Sequence, residues 1–112
     1  MKMKTRGLQG AALDWAVAMC EGVKLMGAHG FVRDSYDNEV LFEPSTDWAQ
    51  GGPIIEREKI GLDYYPDGGQ AWGALCDGGN HESFGPTPLI AAMRCFVASK
   101  LGDEVTIPEE VR

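Results

Sequence analysis

Residues 45–57 read Ser45-Thr46-Asp47-Trp48-Ala49-Gln50-Gly51-Gly52-Pro53-Ile54-Ile55-Glu56-Arg57. Ser45 or Asp47 can cap a helix, since each offers a side-chain oxygen to an orphan amide. Trp48 and Ala49 then continue as a first turn. Gly51 and Gly52 each weaken a helix by about 1 kcal/mol relative to Ala. Pro53 removes a backbone donor, yet it suits the first position of a new helix. The stretch therefore reads as one helical turn, a Gly-Gly break, and a second helical segment over 53–59. In that segment Ile54 and Ile55 turn inward and Glu56-Arg57-Glu58-Lys59 face outward.

Upstream, residues 8–21 (LQGAALDWAVAMCE) read as a helix that stops at Gly22. Leu8, Ala12, Trp15 and Met19 share one face, and Leu13, Val17 and Cys20 form a second apolar stripe. Asp14, Ala18 and Glu21 make the solvent face. The second stripe is either the margin of one wide core face or a contact for another subunit. Residues 23–42 look like a hairpin around His29-Gly30 with a turn at Asp37-Asn38. The terminal Met-Lys alternation at 1–6 forms an edge strand or frays.

Downstream, residues 61–76 predict a second hairpin turning at Asp67-Gly68-Gly69. Residues 77–86 are loop by composition. Residues 87–101 predict a helix capped by Thr87, with Pro88 in its first position and Gly102 after its end. Leu89, Ile90, Met93, Phe96, Val97 and Leu101 fall on one arc of it. A short strand over 105–107 follows. The order implies an α+β fold: a small antiparallel sheet from two hairpins, with two main helices and one short broken helix packed on it. The chain reads as one domain, 1–112.

Composition narrows the function. A net charge of −7 argues against a general nucleic-acid-binding role, which needs a basic face. No apolar run approaches the ~20 residues of a membrane helix, and the basic start is not followed by a signal-peptide core. The expectation is a soluble cytoplasmic protein without a membrane partner. Cys20, Cys76 and Cys95 lie in apolar contexts with no C-x-x-C pair, so they read as core thiols and not as a zinc site. His81-Glu82 lacks the second His of a zincin helix, and the Walker phosphate loop is absent. No catalytic residue, metal ligand or cofactor is expected, and the chain is not read as an enzyme.

The candidate ligand residues are Thr46, Trp48, Gln50, Arg57 and Arg94. Two successive helix starts would present free amides to an anion. Trp48 can stack, Thr46 and Gln50 can hydrogen-bond, and Arg57 or Arg94 can supply a fork for phosphate or carboxylate. These parts suit a nucleotide-type ligand. The same residues also serve a packed corner, with Trp48 in the core, Gly51-Gly52 a close-packing point and Glu56-Arg57 a solvated pair.

Three blocks, LQGAALDWAVAMCEG, STDWAQGGPIIEREKI and GPTPLIAAMRCFVASKLGDEV, resemble the NinX-like proteins of lambdoid and related phages, a family of unknown function. The order of elements also resembles phage ABA sandwich domains, in which the Ser-Thr-Asp step leads into an uninterrupted helix. This chain departs there with Gly51-Gly52-Pro53. The resemblance implies a small phage or prophage accessory protein in the bacterial cytoplasm. Within that setting the expected function is non-enzymatic sequestration of a small polar or nucleotide-type ligand, such as a host immune signalling nucleotide. The expected partners are that nucleotide signal and further copies of the chain. The alternative is an interaction factor that modulates a host or phage protein.

Overall fold

A computed structural model describes residues 1–26, 30–66 and 69–111. His29, the end of the 23–28 segment, and the Asp67-Gly68 step of the second turn lie outside the described residues.

The strand and helix order runs β1 (Lys2–Lys4), α1 (Gly10–Glu21), β2 (Phe31–Arg33), β3 (Glu39–Leu41), α2 (Trp48–Glu58), β4 (Gly61–Tyr64), β5 (Trp72–Cys76), β6 (His81–Gly85), α3 (Pro88–Leu101) and β7 (Glu104–Thr106). This is the α+β class the patterning implied, with antiparallel pairing throughout the described strands. The pairing is divided among three small sheets, β1-β7, β2-β3 and β4-β5-β6, so the two hairpins do not join. Residues 42–60, which carry α2, separate them.

The central element is α3. Thr87 caps it, its hydroxyl accepting the Ile90 N–H at 3.1 Å, and Pro88 takes the first turn. The helix touches β5 and β6 as well as α1 and α2. Every residue of its middle, 91–97, is therefore buried, wider than the single arc expected, while Leu101 is exposed. The 77–86 segment, read as loop, contains β6. Its inward positions Ser83 and Gly85 are small because α3 lies close, so no apolar alternation marks the strand.

Helix α1 differs from expectation in the same direction. Leu13 and Val17 are fully buried within the chain itself, so these two belong to the chain's own core, while Cys20 of the same stripe is half-buried. Asp14 and Ala18, read as solvent face, are buried too. The reason is that α1 is covered from several sides, by α3, by the C-terminal turn Glu109–Val111, and by the segment holding Ser45.

Helix α2 runs unbroken through Gly51, Gly52 and Pro53, which corrects the expected break. Asp47 caps it, its carboxylate accepting the Ala49 N–H at 3.0 Å. Pro53 forfeits the bond to the Ala49 carbonyl. Both residues are exposed, so water can take that carbonyl. Burial of Gly51 and Ile54 holds the helix onto the core. It ends at Lys59, which adopts the left-handed conformation with φ 54°.

The first and last strands meet. β1 pairs with β7, matching Met3 to Val105, and the Ile107 N–H donates to the Met1 carbonyl at 2.8 Å.

Candidate functional site

A cavity of about 330 Å³ opens beside α1. Its floor is the first turns of α1, with Gly10, Ala11, Asp14 and Trp15. Gly30, Leu41 and Phe42 from the β2-β3 hairpin form one wall. Glu43 and Thr46, between β3 and α2, continue it, and Pro108, Glu110 and Val111 close the far side.

The wall between β3 and α2 is fixed from two directions. Asp14 Oδ1 accepts the Ser45 N–H at 2.9 Å from the α1 side. From the α2 side, Gln50 Oε1 accepts the Glu43 N–H at 3.0 Å, and Gln50 Nε2 donates to the Leu41 carbonyl at 2.9 Å. Pro44 and Ser45 between these clamps are buried. Gln50, expected to hold ligand, spends its amide on this wall. Asp14 was missed because an acid amid exposed-looking helix positions reads as solvated.

The five expected ligand residues are dispersed. Thr46 lines the cavity. Trp48, in the first turn of α2, is 53% exposed and so is not the core aromatic of the packed-corner reading. The Arg57 guanidinium grips Glu21 with bonds of 2.5 and 3.0 Å and Glu58 at 2.8 Å, and lies 5.7 Å from the Phe96 ring centroid. The Glu21 and Glu58 bonds push the Arg57 pKa up, and Arg57 in turn lowers that of Glu58.

Arg94 is 4% exposed. Its Nε donates to the Leu8 carbonyl at 2.8 Å, and one terminal nitrogen to the Phe84 carbonyl and Gln70 Oε1, each at 2.8 Å. Burial lowers its pKa. Its head ties Leu8, two residues before α1, to β6 and to Gln70, two residues before β5. In this structure neither arginine turns a fork toward the cavity.

The cavity's chemistry is aromatic and acidic. Trp15 and Phe42 give flat apolar surface, and Asp14, Glu43 and Glu110 give carboxyl groups. Burial raises the Asp14 pKa, against the lowering effect of its bond with Ser45. Among the described residues, no Lys or Arg lines the cavity and no three His, Cys, Asp or Glu side chains converge to hold a metal ion. The His81–Asp77 pair stands at 4.0 Å, away from the cavity lining.

The family model described as Bacteriophage P22, NinX matches residues 4–100. The chain belongs to this NinX family. The match spans α1, the cavity wall and nearly all of α3, so the three sequence blocks that carry the resemblance lie within it or overlap it. No curated protein matches the chain. Among the described residues, no helix of this NinX-family chain is long and apolar enough to cross a membrane.

Proposed function

We propose that this chain is a phage accessory protein that acts in the bacterial cytoplasm by capturing a small ligand without transforming it. The observation that carries the reading is the 330 Å³ cavity with Trp15 and Phe42 beside Asp14, Glu43 and Glu110. Such a lining suits a flat ligand whose edge donates hydrogen bonds, because carboxylates accept and do not donate. A nucleobase with amino groups meets that description. Its phosphates would stay outside, since anionic groups are repelled by acidic neighbours. Capture of a host immune signalling nucleotide, base first, is the anti-defence form of this reading. Thr46 would then contact the ligand directly, whereas Trp48, exposed in the first turn of α2, does not line the cavity. Gln50 would act through the wall it clamps.

A protein partner is the second reading. Tyr65, Leu75 and Phe84 are all exposed, and the latter two occupy the face of β5-β6 opposite α3. Exposed apolar groups of this kind mark contact surfaces.

Native mass spectrometry of the chain made in its bacterial host, together with thermal shifts against nucleosides and nucleotides, separates the two. Ligand capture predicts a retained small mass, lost in Ala11→Trp, which fills the cavity from an exposed helix position. It also predicts stronger shifts from Glu43→Gln with anionic ligands. A bare chain with no thermal shift, and a host complex lost in Phe84→Glu but kept in Ala11→Trp, would select the protein partner.

A further inference from the structure

Cys76 ends β5 and Cys95 lies in the middle of α3, and their sulfurs stand 3.0 Å apart in the core. Cys76 is 4% exposed and Cys95 is fully buried. Neither lines the cavity beside α1, so chemistry at these two thiols is independent of ligand capture there. We propose that Cys76 and Cys95 are a redox-active pair that closes to an intramolecular disulfide inside the native fold, tying α3 to the sheet it packs on.

An S–S bond is about 2.05 Å long, so closure asks for an approach of about 1 Å. Little hydrogen bonding opposes it. Apart from the contact between the two sulfurs, the thiols' bonds to carbonyls are long, Cys76 Sγ to the Cys95 carbonyl at 3.4 Å, and Cys95 Sγ to the Ala74 and His81 carbonyls at 3.4 and 3.3 Å. Those carbonyls belong to strands and a helix and have backbone partners to keep. Cys20, on α1, is half-buried.

The step balances by thiol–disulfide exchange with a disulfide oxidant such as oxidised glutathione. One protein thiolate attacks a glutathione sulfur and expels one glutathione. The second thiolate attacks the protein sulfur of that mixed disulfide and expels the other. Two protein thiols are oxidised, one glutathione disulfide is reduced, and the thiol protons pass to the two glutathiones. Burial raises the Cys95 pKa and disfavours its thiolate, so closure waits on local opening between β5 and α3. The pair is therefore slow to respond and stable once closed.

The test equilibrates Cys20→Ser in glutathione buffers of varied ratio, once folded and once in denaturing urea, with acid quenching and mass spectrometry. The expected product has lost two hydrogens and carries no glutathione. The effective concentration of the pair should be about tenfold or more higher in the folded chain, because the fold holds the sulfurs together. Linkage then requires the oxidised chain to melt at a higher temperature than the reduced one. Equal or lower effective concentration in the folded chain, or a glutathione adduct in place of the internal bond, overturns the proposal. Peptide mapping of the oxidised wild-type chain tests the same pairing without substitution. A Cys76–Cys95 peptide with Cys20 free supports the pair, and a link through Cys20 overturns it.

Discussion

Gly51 and Leu89 meet so closely that a Cβ on Gly51 would lie 2.6 Å from Leu89 Cδ2 and would also run into the Pro44 carbonyl. Its neighbour Gly52 has nothing within 4 Å of the same position. The two glycines that read as one break therefore do different things. Gly51 lets α2 press against the start of α3 and the cavity wall, while Gly52 only lowers helix propensity.

This separates two substitutions that look identical in sequence. Gly51→Ala overpacks a backbone contact and should cost about 2–3 kcal/mol. Gly52→Ala has room and a helical backbone, so it should stabilise by about 0.5–1 kcal/mol. Urea denaturation of both variants checks the pair. Equal effects in the same direction would mean that α2 does not pack as described.

The same residues mark how far the sequence could be read. Local signals carried the caps at Thr87 and Asp47, the stop at Gly22, and the antiparallel hairpins, because each depends on neighbours in the chain. The continuity of α2 was not legible. It depends on burial of Gly51 and Ile54 against segments remote in sequence, which outweighs local breaking tendencies. Asp14 and Arg94 were misread for a related reason. Their partners, Ser45 at one site and Leu8 and Phe84 at the other, are distant and are backbone groups that no pattern names. The cavity was the least legible feature, since four separate segments build it and only Thr46 of the expected ligand residues reaches it.

Gly73 and Gly85 give a second contrast on the β5-β6 pair. A Cβ at Gly85 would sit 2.7 Å from the Ala91 backbone nitrogen, which α3 holds rigidly. A Cβ at Gly73 would instead meet ring carbons of Tyr65 at 2.8 Å and Phe84 at 3.2 Å, both exposed side chains. Gly85→Ala should therefore cost about 3 kcal/mol, and Gly73→Ala less than about 1.5 kcal/mol. Thermal melting of the two variants at one pH ranks them, and the opposite ranking would contradict the close approach of β6 to α3.

Arg94 and Arg57 are expected to respond to truncation very differently. Removing the Arg94 head leaves the Leu8 and Phe84 carbonyls without their donor in a buried setting. Arg94→Met should cost about 3 kcal/mol or more. The Arg57 side chain is half exposed, and its ion pairs with Glu21 and Glu58 are screened by water. Arg57→Ala should cost about 1 kcal/mol or less, and less again at high salt. If Arg94→Met melts like the wild type, its hydrogen bonds are not structural and its head is free for a ligand.

The buried Asp14 carboxyl makes stability depend on pH with a definite sign. Burial raises its folded pKa above 3.8, while the unfolded chain keeps the ordinary value. Between those two values the folded state binds more protons than the unfolded state, so this group's contribution falls as pH rises through the window. Above the folded pKa the full cost of a buried charge remains. Asp14→Asn removes the charge and keeps an oxygen that can accept the Ser45 N–H. The variant should melt above the wild type at pH 7, and the gap should shrink as pH falls toward 3.8. Other carboxylates titrate in both chains and cancel in the difference. A gap that does not change with pH would show that Asp14 carries no raised pKa. Because Asp14 also lines the cavity, a cationic ligand seated there should favour the ionised form. Its binding should then weaken as pH falls through the same window in the wild type, with a smaller change in the variant.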